Sequence, residues 1–524
     1  MHICHTSIQK KNRLLLLILF GATFLILSYS FFYVHSISIH YTTTSIEPIG
    51  SPNECKQLHV LMQTTIGIEN VNIPFVNEQL SSSSSRHRTK QYQVTYKNAI
   101  RRSIIPGSGI RLRRFLEKIQ HNQPVHLTFV GGSITAQKTW ADKIVQWLKA
   151  TFPHNADITH DVVGIGGQGS GYWRLCVQNH VSRVTDLFFL DVAVNDIFEP
   201  ATMAAQEEIV RKLLVFPHSP AIVFINFDTI IRNEYSTGEE TVVRMAEYYD
   251  LSMVSMRRAF HRYYWTNPLA FSKRFLEDAH HLSTDGFDLV ANLTSALFLQ
   301  QQCHSALFSG GNEEEEEKEE EQAIGDGEVE VDGETDTHMF HTLLDYASLL
   351  PEPFNSKSFS QWSEWRLPHK TEWYASTCLS VYDTQSKLYD PYSNWTIYDW
   401  GVNHMKKAYT PTGINQLFRV PLDVPITSRG MVYLIYTQGI PDNDFGEIEC
   451  WLDDDDDDDD IRNRVWLGGV SPVRVGPNGI PIPHTMVTVL KTDVAPGHHV
   501  VSCLSPDTMQ KVRNGFRLNA VAHI

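Results

Sequence analysis

Apolar and polar positions follow one rhythm between residues 101 and 305 and another from 339 to the carboxyl end. In the first stretch, short apolar runs at 125–130, 158–163, 187–194 and 221–226 read as buried strands. Between them, residues 139–151 place Trp140, Ile144, Trp147 and Leu148 on one helical face. Further helices are expected at 202–214, 239–261 and 286–301. Strands separated by helices predict an α/β layered domain with a mostly parallel sheet covered on both faces. In the second stretch, short alternating runs at 430–436, 446–452, 485–490 and 498–503 are separated by Pro, Gly and Asn turns. That pattern predicts an antiparallel β-sandwich.

The remaining segments read differently. Residues 14–34 form an uncharged run of 21 residues behind Lys10, Lys11 and Arg13. About 20 apolar residues cross a bilayer core, and the basic flank on the amino side leaves 1–13 cytosolic. The sequence therefore predicts a retained signal anchor and a single-pass type II membrane protein of the secretory pathway, in the Golgi or endoplasmic reticulum lumen or at the cell surface. Residues 35–100, with five serines at 81–85, read as a stem. Residues 306–338 read as an acidic linker, and 339–524 as the sandwich domain.

Composition changes this picture little. At 42% hydrophobic and 11% aromatic, the chain has ample core material, which excludes a wholly disordered protein. The net charge of −16 is concentrated in two runs: 312–336 holds 14 acidic residues and one Lys, and 453–460 is eight aspartates. The rest carries about +5, so no nucleic-acid partner is expected. Of seven cysteines, six lie beyond the apolar run. The expected disulfides are Cys450–Cys503, both on strand-like segments, and Cys176–Cys303. Asn292-Leu-Thr and Asn394-Trp-Thr are glycosylation acceptors. No Cys/His spacing suggests a metal.

Four segments carry chemistry. The 125–130 run ends in Gly131-Gly132-Ser133-Ile134-Thr135, where two glycines allow a tight turn exposing a hydroxyl at the carboxyl edge of the sheet; a helix N-cap is the plainer reading. The next strand runs into a glycine-rich loop that contains G-x-G-x-x-G at Gly164, Gly166 and Gly169. It follows the second strand rather than the first, so a loop presenting N–H groups toward Ser133 reads better than a dinucleotide site. The 187–194 run ends in Asn195-Asp196, and an Asn there can aim its amide at a developing oxyanion; an ordinary turn is the alternative. Lastly, Asp278-Ala279-His280-His281 precedes the final helix, and a spacing of three lets Asp278 orient the His281 imidazole.

Together these blocks, over roughly residues 120–303, resemble the SGNH hydrolase superfamily of GDSL-type esterases and lipases. Two positions depart from the family pattern: Gly132 stands where Asp is usual, and Ala193 where Gly is usual. The resemblance implies a flavodoxin-like three-layer α/β/α domain and a membrane-anchored member of the family with a carboxy-terminal sandwich. It implies Ser133 as nucleophile, His281 as base, Asp278 as its orienting carboxylate, and an oxyanion hole from Ser133, Asn195 and Gly167, with Gly169 as second choice. No cofactor is implied. The expected activity is that of a carboxylic ester hydrolase acting on O-acyl esters, with O-acetyl groups on carbohydrate as substrate. An O-acyltransferase using the same triad and a non-catalytic glycan-binding scaffold are the alternatives.

Overall fold

The computed structural model describes residues 71–73, 92–94, 102–152, 154, 157–229, 237–259, 268–278, 280–310, 377–383, 393–400, 406–426, 428, 430–439, 446–453, 464–468, 484–506 and 516–524. After a two-stranded ribbon, β1 (Val71–Ile73) and β2 (Tyr92–Val94), the chain enters β3 (Ile104–Ile105) and α1 (Ile110–Gln120). There follow β4 (Val125–Gly131), α2 (Ser133–Ala136), α3 (Thr139–Thr151), β5 (Ile158–Gly164), α4 (Ser170–His180), β6 (Leu187–Asp191) and α5 (Pro200–Leu214). Next come β7 (Ala221–Asn226), α6 (Glu239–Tyr248), β8 (Ser252–Ser255), α7 (Met256–Ala259), α8 (Pro268–Phe275) and α9 (Thr284–Gly310).

The six-stranded sheet runs β3-β8-β7-β6-β4-β5, parallel except for β3. Among the five parallel strands this is the order 2-1-3-4-5, whose direction of winding reverses between β4 and β6. In such sheets the crevice at the carboxyl ends of the two switch-point strands is where ligands bind. Both faces are covered. Leu112 and Phe115 of α1, Trp140 and Ile144 of α3 and Leu293 and Phe298 of α9 pack on one side. Trp173 and Val177 of α4, Ile209 and Leu213 of α5 and Val242 and Met245 of α6 pack on the other. Trp140 sets its edge against Phe129, Phe189 and Phe227 and is fully buried.

The second half holds two antiparallel sheets. One runs β10 (Trp395–Trp400), β11 (Lys406–Pro411), β18 (Arg517–His523), β13 (Val432–Gln438), β16 (His484–Lys491), with β9 (Thr377–Ser380) also paired to β18. The other runs β12 (Leu417–Val424), β17 (Gly497–Leu504), β14 (Glu447–Leu452), β15 (Val465–Gly468). In β12 every second residue is buried, as expected of a sheet with one wet face. In β13 and β18 every residue is buried, because this sheet has apolar material on both sides. Leu434 and Val521 face the sandwich core, while Tyr433, Ile435, Ala520 and Ala522 pack into the cluster around α4. The described residues all lie in one compact unit, 49–524.

Several expectations need correction. The run 239–261 is not one helix: α6 stops at Tyr248, Asp250 adopts a left-handed φ of 54°, and β8 begins at Ser252. The strand expected over 187–194 ends at Asp191, and its apolar continuation Val192-Ala193-Val194 is a buried turn. Cys176 is bonded to Cys378, not to Cys303, joining α4 to β9 across the layers; Cys303 is itself disulfide-bonded, and Cys450 pairs with Cys503. Asn394 is exposed, but Asn292 is half-buried within α9, and the Thr294 of its acceptor triplet is buried with its hydroxyl donated to the Val290 carbonyl. Such a position is unlike the surface loop that an acceptor site usually occupies.

The membrane expectations are also withdrawn. No helix among the described residues is long and apolar enough to cross a membrane. The anchor expected at 14–34 lies outside the described residues, as do the acidic runs at 312–336 and most of 453–460. Neither a lipid-bilayer partner nor a type II topology is supported.

Candidate active site

The apolar strand β4 runs through the sheet and ends on Gly131, leaving Ser133 as the first residue of the four-residue helix α2. Ser133 is 4% exposed. Its Oγ lies 2.9 Å from His281 Nε2, across 148 positions of sequence. His281 Nδ1 lies 2.8 Å from Asp278 Oδ2, and Asp278 Oδ1 accepts the backbone N–H groups of His280 and His281 at 2.6 and 2.7 Å. Partial burial raises the Asp278 pKa, but the His281 ring and these two N–H groups outweigh it and hold the carboxyl below its ordinary value. An ionised Asp278 places the ring proton on Nδ1 and leaves Nε2 to accept the Ser133 hydroxyl proton.

Local packing explains why the turn sits there. Leu276 and Leu282 are buried and form a short antiparallel bridge, with Glu277 N–H donating to His281 O and Ser283 N–H to Phe275 O. At Gly286, a Cβ would lie 2.2 Å from Phe275 O, so α9 can start tight against this turn only on glycine. The two adjacent histidines part company: the His280 ring meets the Thr229 hydroxyl at 3.1 Å and stacks edge-on to His281.

Asn195 lies in the turn after β6 and donates from Nδ2 to Gln168 O at 3.1 Å. A Cβ on Gly132 would stand 2.1 Å from that same Nδ2. With the backbone placed as it is, a side chain at Gly132 would displace the Asn195 amide. Gly167 has a left-handed φ of 79°, and its carbonyl accepts the Thr485 hydroxyl of β16 at 3.3 Å. Gly169 is spoken for differently, because a Cβ there would lie 2.3 Å from Asp196 Oδ1, which accepts the Ser170 N–H at 2.8 Å. At Gly164 a Cβ would lie 2.2 Å from Ala136 N, so this glycine lets the loop pack against α2. Among the described residues no group of three or more His, Cys, Asp or Glu could hold a metal ion.

Three participants were not anticipated. Lys406, on β11, brings its Cε within 3.8 Å of where a Cβ on Gly167 would be; burial and then Arg517 lower its pKa. Thr485 joins it, so the sandwich forms a wall against the glycine loop. The third is Asp191, fully buried at the end of β6 with its Oδ2 accepting the Thr135 hydroxyl at 2.8 Å. The only available sequence signal was an acidic residue at the end of an apolar strand.

Burial pushes the Asp191 carboxyl up to about 7. Its folded value exceeds the unfolded one, so the native state binds more protons between roughly pH 4 and 7, and stability falls as pH rises through that window. Asp191→Asn is expected to flatten this fall. Urea unfolding at pH 5 and pH 8 should show the variant losing less stability between the two than the parent chain.

The fold resembles that of a two-domain esterase. It is similar to the crystal structure of a two-domain esterase (CEX) active on acetylated mannans and co-crystallised with mannopentaose, at 17% identity, covering 81% of this chain and 97% of that one with a TM-score of 0.52. A second crystal structure of a two-domain esterase (CEX) active on acetylated mannans gives 16% identity with the same coverage and TM-score. An acetyl xylan esterase, AlAXEase, matches 33% of this chain and 98% of its own at 18% identity and a TM-score of 0.28. No protein-family profile and no curated protein matches. The expectation of a membrane-anchored SGNH member is therefore corrected: the relationship found is a distant one of fold, to carbohydrate-acting esterases.

Proposed function

We propose that this protein is a serine ester hydrolase that removes O-acyl groups, O-acetyl above all, from carbohydrate. The reading rests on one observation, the continuous hydrogen-bond path from Ser133 Oγ through the His281 ring to Asp278. The proposed catalytic residues lie at the carboxyl edge of the parallel sheet, on the turns after β4 and β6 and before α9.

Ser133 Oγ attacks the ester carbonyl carbon while its proton passes to His281 Nε2. The negative charge that develops on the carbonyl oxygen is met by the Ser133 and Gly167 N–H groups and by Asn195 Nδ2. Collapse breaks the bond to the sugar oxygen, which takes the proton from His281 and leaves an acyl-serine. Water then attacks, gives its proton to His281, and the carboxylic acid departs as Ser133 is regenerated. With its Asp278 side chain 56% and its His281 side chain 26% exposed, the site is open to water. That openness favours hydrolysis over transfer to a second sugar hydroxyl.

The carbohydrate assignment draws on the fold likeness to an esterase acting on acetylated mannans and on the exposed aromatics of the sandwich, Tyr398 and Trp466. Acetate release should be measured on acetylated mannan, acetylated xylan and lipid esters. Faster release from the polysaccharides is expected, and a clear preference for lipid esters would overturn the glycan assignment. Asn195→Ala is expected to lower kcat by about 10²–10³, the usual cost of an oxyanion donor. A loss below about tenfold would reduce Asn195 to a turn residue.

A further inference from the structure

The two glycines of Gly131-Gly132-Ser133 make room for side chains from the end of β6 and from the turn after it. Gly132 admits Asn195, as described above. At Gly131, a Cβ would lie 2.5 Å from Thr135 Oγ1 and 2.7 Å from Asp191 Cβ. Asp191 stands opposite Gly131 in the parallel register of β4 and β6, and the Thr135 hydroxyl is itself fully buried. We propose that the Asp191–Thr135 hydrogen bond is a positioning pair that aims the Ser133 hydroxyl at His281; this rests on the serine-hydrolase reading.

The physical case is as follows. Helix α2 has four residues and no side-chain hydrogen bond at its N-cap, too little structure to hold its own geometry. The tie to the neighbouring strand is made one residue before the helix ends, on the turn that carries Oγ. A buried carboxyl is costly, and the Asp191 Oδ1 atom has no hydrogen-bond partner. An apolar residue would fill the same place without that cost, so what Asp191 contributes is an acceptor, for the Thr135 hydroxyl first and then for the backbone N–H groups of Gly132 and Thr135 on the same turn. Neither residue can touch substrate through this bond; the pair acts through Ser133.

The test compares four single variants on p-nitrophenyl acetate, reading kcat, KM and thermal midpoint. Thr135→Val keeps the shape and deletes the hydroxyl, and Asp191→Leu deletes the acceptor. Each is expected to lower kcat about 10–100-fold, the cost of a misaimed reacting group, with KM within about threefold. Thr135→Ser and Asp191→Asn keep donor and acceptor and should stay within about threefold of the parent. The double variant Thr135→Val, Asp191→Leu should be no worse than the weaker single variant, since both remove one bond.

A packing role predicts the opposite order, because Ser leaves a methyl-sized void that Val fills. Thr135→Ser losing as much kcat as Thr135→Val, or Thr135→Val staying within twofold of the parent, would overturn the proposal. Should Asp191→Leu not fold, the Thr135 variants decide alone. Labelling of the parent chain by a fluorophosphonate probe separates the two levels. A labelled Ser133 with the reversed variant order removes only the positioning pair, whereas no labelling removes the serine reading and this proposal together.

Discussion

Replacing Ser133 with Ala is expected to abolish ester hydrolysis, lowering kcat by on the order of 10⁴–10⁶, and to eliminate labelling by a fluorophosphonate. The magnitude follows from the role: no other group can form the acyl intermediate, so the variant keeps only what binding and the oxyanion donors supply to attack by water. The fold should not suffer. Ser133 is a small residue whose side chain is hydrogen-bonded to His281, a histidine that is itself part-exposed. The thermal midpoint should therefore stay within a few degrees while turnover disappears. Hydrolysis of p-nitrophenyl acetate by the variant at more than about a tenth of the parent rate would sink the assignment, whatever the neighbouring residues do.

The second large effect concerns the bond between Cys176 and Cys378, which are separated by 202 positions. On a chain-entropy account, a crosslink closing so long a loop stabilises the folded state by about 5 kcal/mol. The double variant Cys176→Ser, Cys378→Ser should lower the thermal midpoint by roughly 5–10 °C, with Cys450–Cys503 left intact. Turnover should also fall, because the layer held by this bond carries Lys406 and Thr485 onto the glycine loop. Neighbouring contacts soften the loss: Tyr172 OH pairs with the Ser380 hydroxyl at 2.8 Å, and Asn179 donates to Cys378 O at 2.7 Å. A melting scan with and without reductant is the measurement. An unchanged midpoint would show that packing alone holds the layers together.

How much of this was legible in the sequence depends on whether a signal was local. The turns after β4 and β6 were marked by glycines and an Asn-Asp pair, and the Asp278 to His281 spacing by a single turn. Each of these rests on neighbours within a few residues. Strand β8 was hidden because Leu251, Met253 and Val254 continue the apolar pattern of α6, and an Asp rather than a Gly carries the left-handed residue that ends the helix. The strand after Leu187 was overextended because Val192, Ala193 and Val194 are as buried in a turn as they would be in a sheet. The partner of Cys176 could not be read at all, since it depends on which face of the sandwich covers α4. The same holds for Lys406 and Thr485, which come to the glycine loop from far along the chain.

The sheet holding β13 and β18 has no wet face among its buried strands, and this limits how the molecule can be dissected. A truncated protein ending before β9 would lay bare Trp173 and its neighbours, and the sandwich on its own would present Tyr433, Ile435 and the small residues of β18 to solvent. Each fragment would carry an adhesive patch prone to self-association. Separately expressed halves are thus poor tools for testing the proposed catalysis apart from the proposed carbohydrate recognition, and point substitutions in the intact chain are the sounder route.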